Sequence, residues 1–122
     1  MKTLSSLKVL VVEDEALVSM LIEDMLTDMG CTIVGPAAEI EEALRLAGSA
    51  EMDAALLDVN LGGRPIFPVA DALKARGVPF AFASGYGEAG LSEDHRGSTV
   101  LQKPFREADL RRVFEGLVAQ IA

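Results

Sequence analysis

The feature that most constrains this chain is the alternation of short apolar runs with segments of helical period. Residues 8–12, 31–34, 54–58, 78–83 and 99–101 form compact, mostly apolar runs bounded by acids, glycines or prolines. Runs of that length and continuity fit strands buried on both faces. Between them, residues 16–29 repeat apolar positions at Val18, Leu21, Ile22, Met25 and Met29, with Gly30 placed to stop a helix. Residues 40–47 and 69–76 predict two further helices, and residues 106–121 predict a last one with an apolar stripe of Leu110, Val113, Phe114, Leu117, Val118 and Ile121. Buried strands alternating with helices imply an α/β, doubly wound parallel sheet covered on both faces. Gly35-Pro36 is expected to close the second strand, and Pro65 and Pro68 to mark a loop. The stretch from Ser84 to Ser98 holds four glycines and only a weak helical segment, so the fourth helix is expected to be short or disordered.

A chain of 122 residues is the size of one domain, and residues 1–122 are read as one. Its net charge of −8 gives no field for phosphate backbones, so nucleic acid is not expected as a partner. No apolar stretch reaches the ~20 residues needed to span a bilayer, because Glu13, Asp14 and Glu15 interrupt the first. The same acids come too early for a signal peptide. The single cysteine, Cys31, fits a reducing compartment and is read as a small buried apolar residue. These features predict a cytoplasmic domain, away from membranes, acting as a monomer or weak homodimer. His95, the one histidine, is expected to be a solvent-exposed loop residue.

Chemistry gathers at the predicted strand ends. Glu13 and Asp14 close the first strand and Asp58 the third, while the fourth delivers Ser84 and the fifth Lys103. In an open parallel sheet, ligands bind beyond the carboxyl ends of the strands. If the first and third strands are neighbours, three carboxylates meet there, and their repulsion favours a bound cation. An all-oxygen ligand set suits Mg²⁺. Asp58 is then a candidate nucleophile toward a phosphoryl donor, with the Lys103 ammonium and the Ser84 hydroxyl placed to meet the phosphoryl oxygens.

The pieces Val9-Leu10-Val11-Val12-Glu13-Asp14-Glu15, Leu56-Leu57-Asp58-Val59-Asn60-Leu61, Ala83-Ser84-Gly85 and Leu101-Gln102-Lys103-Pro104-Phe105 resemble the receiver domains of two-component response regulators along nearly the whole chain. The resemblance implies a flavodoxin-like (βα)5 fold with strand order 2-1-3-4-5. It implies Asp58 as phosphoacceptor, with Mg²⁺ held by Glu13, Asp14, Asp58 and the backbone carbonyl of Asn60. Ser84 and Lys103 would contact the phosphoryl group, and the Lys103-Pro104 bond would be cis. The stretch Phe80-Ala81-Phe82-Ala83-Ser84-Gly85-Tyr86-Gly87 is similar to the fourth-strand motif of an alphaproteobacterial subfamily of single-domain receivers, with Ser84 where Thr is usual. That similarity implies a sensor histidine kinase of the HWE or a related class, or a histidine phosphotransfer protein, as partner.

One position departs from the family pattern. Leu101 stands where receivers typically carry Tyr or Phe, so it cannot serve as a rotating ring with a polar tip. Tyr86, the only tyrosine, is the candidate for that switching role, coupled to ordering of residues 85–97. Because residues 106–121 form the last predicted element, output is expected through protein–protein contact, as a phosphoryl shuttle or sink. Two other functions are weighed. A phosphorylation-independent binding module with this fold has no need of the complete acid, hydroxyl and lysine set. A haloacid-dehalogenase-type phosphohydrolase would need an Asp at position 60, where this chain has Asn60.

Overall fold

The computed structural model describes residues 4–85, 91–95 and 97–120. After a 3-10 turn (Leu4–Ser6), the chain runs β1 (Lys8–Val12), α1 (Ala16–Asp28), β2 (Thr32–Ala37), α2 (Ile40–Ser49) and β3 (Ala54–Asp58). It continues through β4 (Asn60–Leu61), β5 (Arg64–Pro65), α3 (Phe67–Ala75), β6 (Phe80–Ser84), a 3-10 turn (Glu93–His95), β7 (Val100–Gln102) and α4 (Glu107–Val118). Five strands form one sheet in the order β2-β1-β3-β6-β7, and every pairing in it is parallel. Numbered along the chain, those five strands lie in the expected order 2-1-3-4-5.

Successive side chains of a strand point to opposite faces, and the sheet accordingly divides the core in two. Leu10, Val12, Ala55, Leu57 and Phe82 face α2 and α3, packing on Ile40, Ala43, Ala47, Val69, Ala70 and Leu73. Val9, Val11, Ala54, Leu56, Ala81 and Leu101 face α1 and α4, packing on Ile22, Leu26, Leu110, Phe114 and Leu117. All five residues of β3 are buried, as its central place between β1 and β6 requires. Each large side chain so enclosed contributes about 1.5–3 kcal/mol of transfer free energy. Helix α1 stops because Gly30 takes φ +89°, a left-handed conformation in which Gly30 N–H and Cys31 N–H cap the carbonyls of Thr27 and Leu26.

Several expectations are corrected. The second strand does not close at Gly35-Pro36: β2 continues to Ala37 across a cis Gly35-Pro36 bond, with a register irregularity between Leu10 and Val12. An edge strand tolerates proline because its outer side needs no donor. The Pro65–Pro68 region is not simply a loop. It contains the β4–β5 antiparallel ribbon, turned by Gly62 and Gly63, and α3 starts at Phe67 with Pro68 in its first turn, where a missing N–H costs nothing. Helix α1 buries Ser19, Ile22 and Leu26, whereas Leu21, expected in the core stripe, is 57% exposed. Leu17, Met20 and Leu21 make a second apolar face one step around the helix, and the spacing alone does not say which face meets the sheet. Cys31 is buried as expected, its Sγ–H donating to the Leu4 carbonyl, and burial pushes its thiol up against a smaller opposing pull from Arg111. Between β6 and β7, the described residues contain no α-helix, only the Glu93–His95 turn. Tyr86, and with it the proposed ring switch, lies outside the described residues.

Candidate phosphorylation site

The carboxyl ends of β1, β3, β6 and β7 meet at one rim because these strands are parallel and adjacent. Backbone hydrogen bonds fix their mutual height. Val59 N–H donates to the Ala83 carbonyl at 3.1 Å, Lys103 N–H to the Ser84 carbonyl at 2.9 Å, and Glu13 N–H to the Ala37 carbonyl at 3.0 Å. The side chains that follow are therefore held by the sheet itself.

Glu13, Asp14 and Asp58 each present a carboxylate oxygen within 4.8 Å of the other two. Glu13 is only 2% exposed and Asp58 8%, whereas Asp14 opens to solvent. The Lys103 Nζ donates to Glu13 Oε1 at 2.9 Å and lies 3.3 Å from Asp58 Oδ1. Glu15 N–H donates to Glu13 Oε2 at 3.3 Å, and Gly62 N–H donates to Asp14 Oδ2 at 2.8 Å. Ser84 is buried at the end of β6, beside the end of β3. Asn60 begins the ribbon two residues beyond Asp58, and its backbone pairs with Pro65.

Two buried carboxylates share one ammonium, which leaves the rim short of positive charge. Burial, followed by the charge of Glu13 and a hydrogen bond with it, raises Asp58 to about 7, with Lys103 only partly opposing. Burial by itself would push Lys103 down. Its hydrogen bond to Glu13 and the charges of Asp58 and Glu13 outweigh that and leave it above its ordinary value. Three converging carboxylate oxygens with no sulfur or imidazole among them make a donor set for a hard divalent cation. The residues present fit Mg²⁺.

All five side chains anticipated at this rim are thus found at it: Glu13, Asp14, Asp58, Ser84 and Lys103. Leu101 is buried among the side chains of the α1–α4 core, an aliphatic packing residue at that position. Lys103-Pro104 is cis, as expected. The Gly62 donor to Asp14 is not among the expected site groups, and the Gly62-Gly63 pair is the sequence signal for its turn. His95, expected as a solvent-exposed loop residue, is instead buried. The ring is 8% exposed, with Nδ1 2.8 Å from Ser92 Oγ and Nε2 2.9 Å from Asp71 Oδ1, because Phe67 and Phe82 supply an apolar wall for it.

A parallel doubly wound sheet with an acidic, lysine-bearing rim of this kind defines an α/β protein whose ligand site lies at the carboxyl ends of its strands. More narrowly, the chain belongs to the response regulator receiver domain family, whose sequence profile matches residues 9–115. It is 31% identical over 117 residues to the transcriptional regulatory protein PdtaR of Mycobacterium tuberculosis, covering 93% of this chain. It is 30% identical over 110 residues to the phyllosphere-induced regulator PhyR of Methylorubrum extorquens, covering 87% of this chain. The chain spans only 57% and 41% of the lengths of those two proteins. Among solved structures, SdrG from Sphingomonas melonis Fr1 superposes with a TM-score of 0.83 at 39% identity, over 97% of this chain and 99% of SdrG. The receiver domain of sensor histidine kinase PA1611 from Pseudomonas aeruginosa PAO1, solved with a magnesium ion coordinated in its active site cleft, superposes with a TM-score of 0.78 at 26% identity, over 93% and 98% of the two chains.

The described residues contain no helix long and apolar enough to cross a membrane.

Proposed function

We propose that this chain is a signalling phosphoacceptor that takes a phosphoryl group onto Asp58 from a histidine kinase or a histidine phosphotransfer protein. An Asp58 carboxylate oxygen attacks the donor phosphorus. The new P–O bond forms as the donor's P–N bond breaks, giving an aspartyl phosphate and a free imidazole on the donor. Lys103, already 3.3 Å from Asp58 Oδ1, would pair with a phosphoryl oxygen. Ser84, on the neighbouring strand end, would donate its hydroxyl to another. Glu13, Asp14, Asp58 and the Asn60 carbonyl would hold Mg²⁺. When bound, that ion supplies positive charge to offset the carboxylates and the incoming phosphoryl oxygens. Turnover is confined to the protein's own phosphorylation and dephosphorylation, and its setting is the cytoplasm.

The observation that carries this reading is the meeting of three carboxylates and one ammonium at a single strand rim. A groove beside the rim supports the choice of donor. Val18, Leu21, Ile22 and Met25 of α1, with Lys103, Pro104 and Phe105, line an apolar space of about 300 Å³. Leu17, Met20 and Leu21 extend its apolar character over the outer face of α1. An apolar helix face beside a phosphoacceptor fits a helical donor that must bring a histidine to Asp58. Incubation with acetyl phosphate and Mg²⁺ is expected to add one phosphoryl group by intact mass, and Asp58→Asn to abolish the addition. Equal labelling of both proteins would refute the assignment.

A further inference from the structure

Away from the rim, on the α3 side of the sheet, the buried His95 ring is held between Ser92 and the largely exposed Asp71. We propose that His95 is a clasp that holds residues 91–95 against α3 in the phosphoryl-free protein and thereby opposes phosphoryl uptake; its effect on uptake rests on Asp58 being the phosphoacceptor. Both ring nitrogens are engaged, Nδ1 with Ser92 Oγ at 2.8 Å and Nε2 with Asp71 Oδ1 of α3 at 2.9 Å. The ring stacks on Phe67 at 4.8 Å with an interplanar angle of 19°, and meets Phe82 edge-on at 5.8 Å. Neutral imidazole can donate from Nε2 and accept at Nδ1, so the arrangement is satisfied without a net charge.

The position of these contacts gives the clasp its leverage. Phe67 is the first residue of α3, reached from Asp58 through the β4–β5 ribbon, and the ribbon's exit is tied back to the residue after β3 by Ile66 N–H donating to the Val59 carbonyl. Phe82 lies two residues before Ser84 on the same face of β6. His95 therefore bridges α3, which follows the acceptor strand β3 through the ribbon, and β6, which carries the hydroxyl. A phosphoryl group on Asp58 would draw the Ser84 hydroxyl toward it, and movement at that end of β6 would load the Phe82–His95 contact. Contacts made only in the phosphoryl-free arrangement lower the affinity for a phosphoryl group in proportion to the population they hold back. Asp71 is largely exposed and pairs with His95 from α3, so its removal separates the clasp from the chemistry.

The test compares the full chain with His95→Phe, which keeps a ring over Phe67 and deletes both polar bonds, and with Asp71→Ala, which removes an exposed partner without disturbing the core. Amide exchange of Leu91 to His95 is read by NMR in the absence of ligand, and the affinity for beryllofluoride with Mg²⁺ is read by titration. Both variants are expected to exchange about fivefold faster in that segment and to bind beryllofluoride about threefold to tenfold more tightly. Unchanged exchange overturns the clasp. Faster exchange with unchanged or weaker beryllofluoride binding overturns its opposition to uptake. Failure of the unsubstituted protein to bind beryllofluoride sinks the phosphoacceptor reading instead, and with it the effect on uptake, while the exchange comparison still decides whether His95 holds the segment.

Discussion

Replacing Asp58 by Asn removes one of two buried negative charges at the rim, and its consequence for stability is legible in the pH dependence of the metal-free protein. Burial and the neighbouring Glu13 hold Asp58 at about 7, against an ordinary value of 3.8. Between those values the folded protein keeps a proton that the unfolded chain has released, so the unfolding free energy falls as pH rises. The stability is full below the unfolded value and is lost as pH climbs to the folded one. The whole interval corresponds to about 4 kcal/mol, and the part between about pH 5 and about pH 8 to about 2–3 kcal/mol. For a domain whose total stability is about 5–15 kcal/mol, that is a large fraction. Urea unfolding in EDTA is expected to show the midpoint of the unsubstituted protein dropping by about 1–2 M across this window. Asp58→Asn should lack this component of the decline and be the more stable protein at the alkaline end. Millimolar Mg²⁺ should restore stability at high pH more than at low pH, because it binds the ionised site of the folded protein only. Parallel pH curves for the two proteins in EDTA would refute the claim that Asp58 is the strained charge at the rim.

Two further perturbations test other parts of the structure. Leu17→Glu with Leu21→Glu places charge on the exposed apolar face of α1 and is expected to slow phosphotransfer from a histidyl donor by about tenfold or more, while labelling by acetyl phosphate, measured by intact mass, stays within about twofold; an equal loss with both donors would remove that face from donor docking. Gly30→Ala forces a side chain into a left-handed conformation, with its Cβ only 2.8 Å from the Ser5 backbone, and is expected to cost about 1–3 kcal/mol in urea unfolding.

The alternation of apolar runs with helical periods was enough to determine the layering of this chain, because a strand with no polar face has to be covered on both sides. It also placed Glu13, Asp14, Asp58, Ser84 and Lys103 at strand ends, since each closes an apolar run or follows one within two residues. Other features depended on contacts between segments far apart in the chain. Either of two apolar faces of α1 could have met the sheet, and packing against β1 and α4 buried Ile22 and Leu26 while leaving Leu17 and Leu21 outside. His95 sits among glycines and polar residues in sequence. Its burial was decided by Phe67 and Phe82, which arrive from α3 and β6. The β4–β5 ribbon was hidden because a two-residue strand has no periodicity to read, and its Gly62 donor reaches Asp14 across 48 positions of chain. Periodicity reports what a segment must bury. Only the assembled sheet decides against what, and so which carboxylates share the ammonium of Lys103.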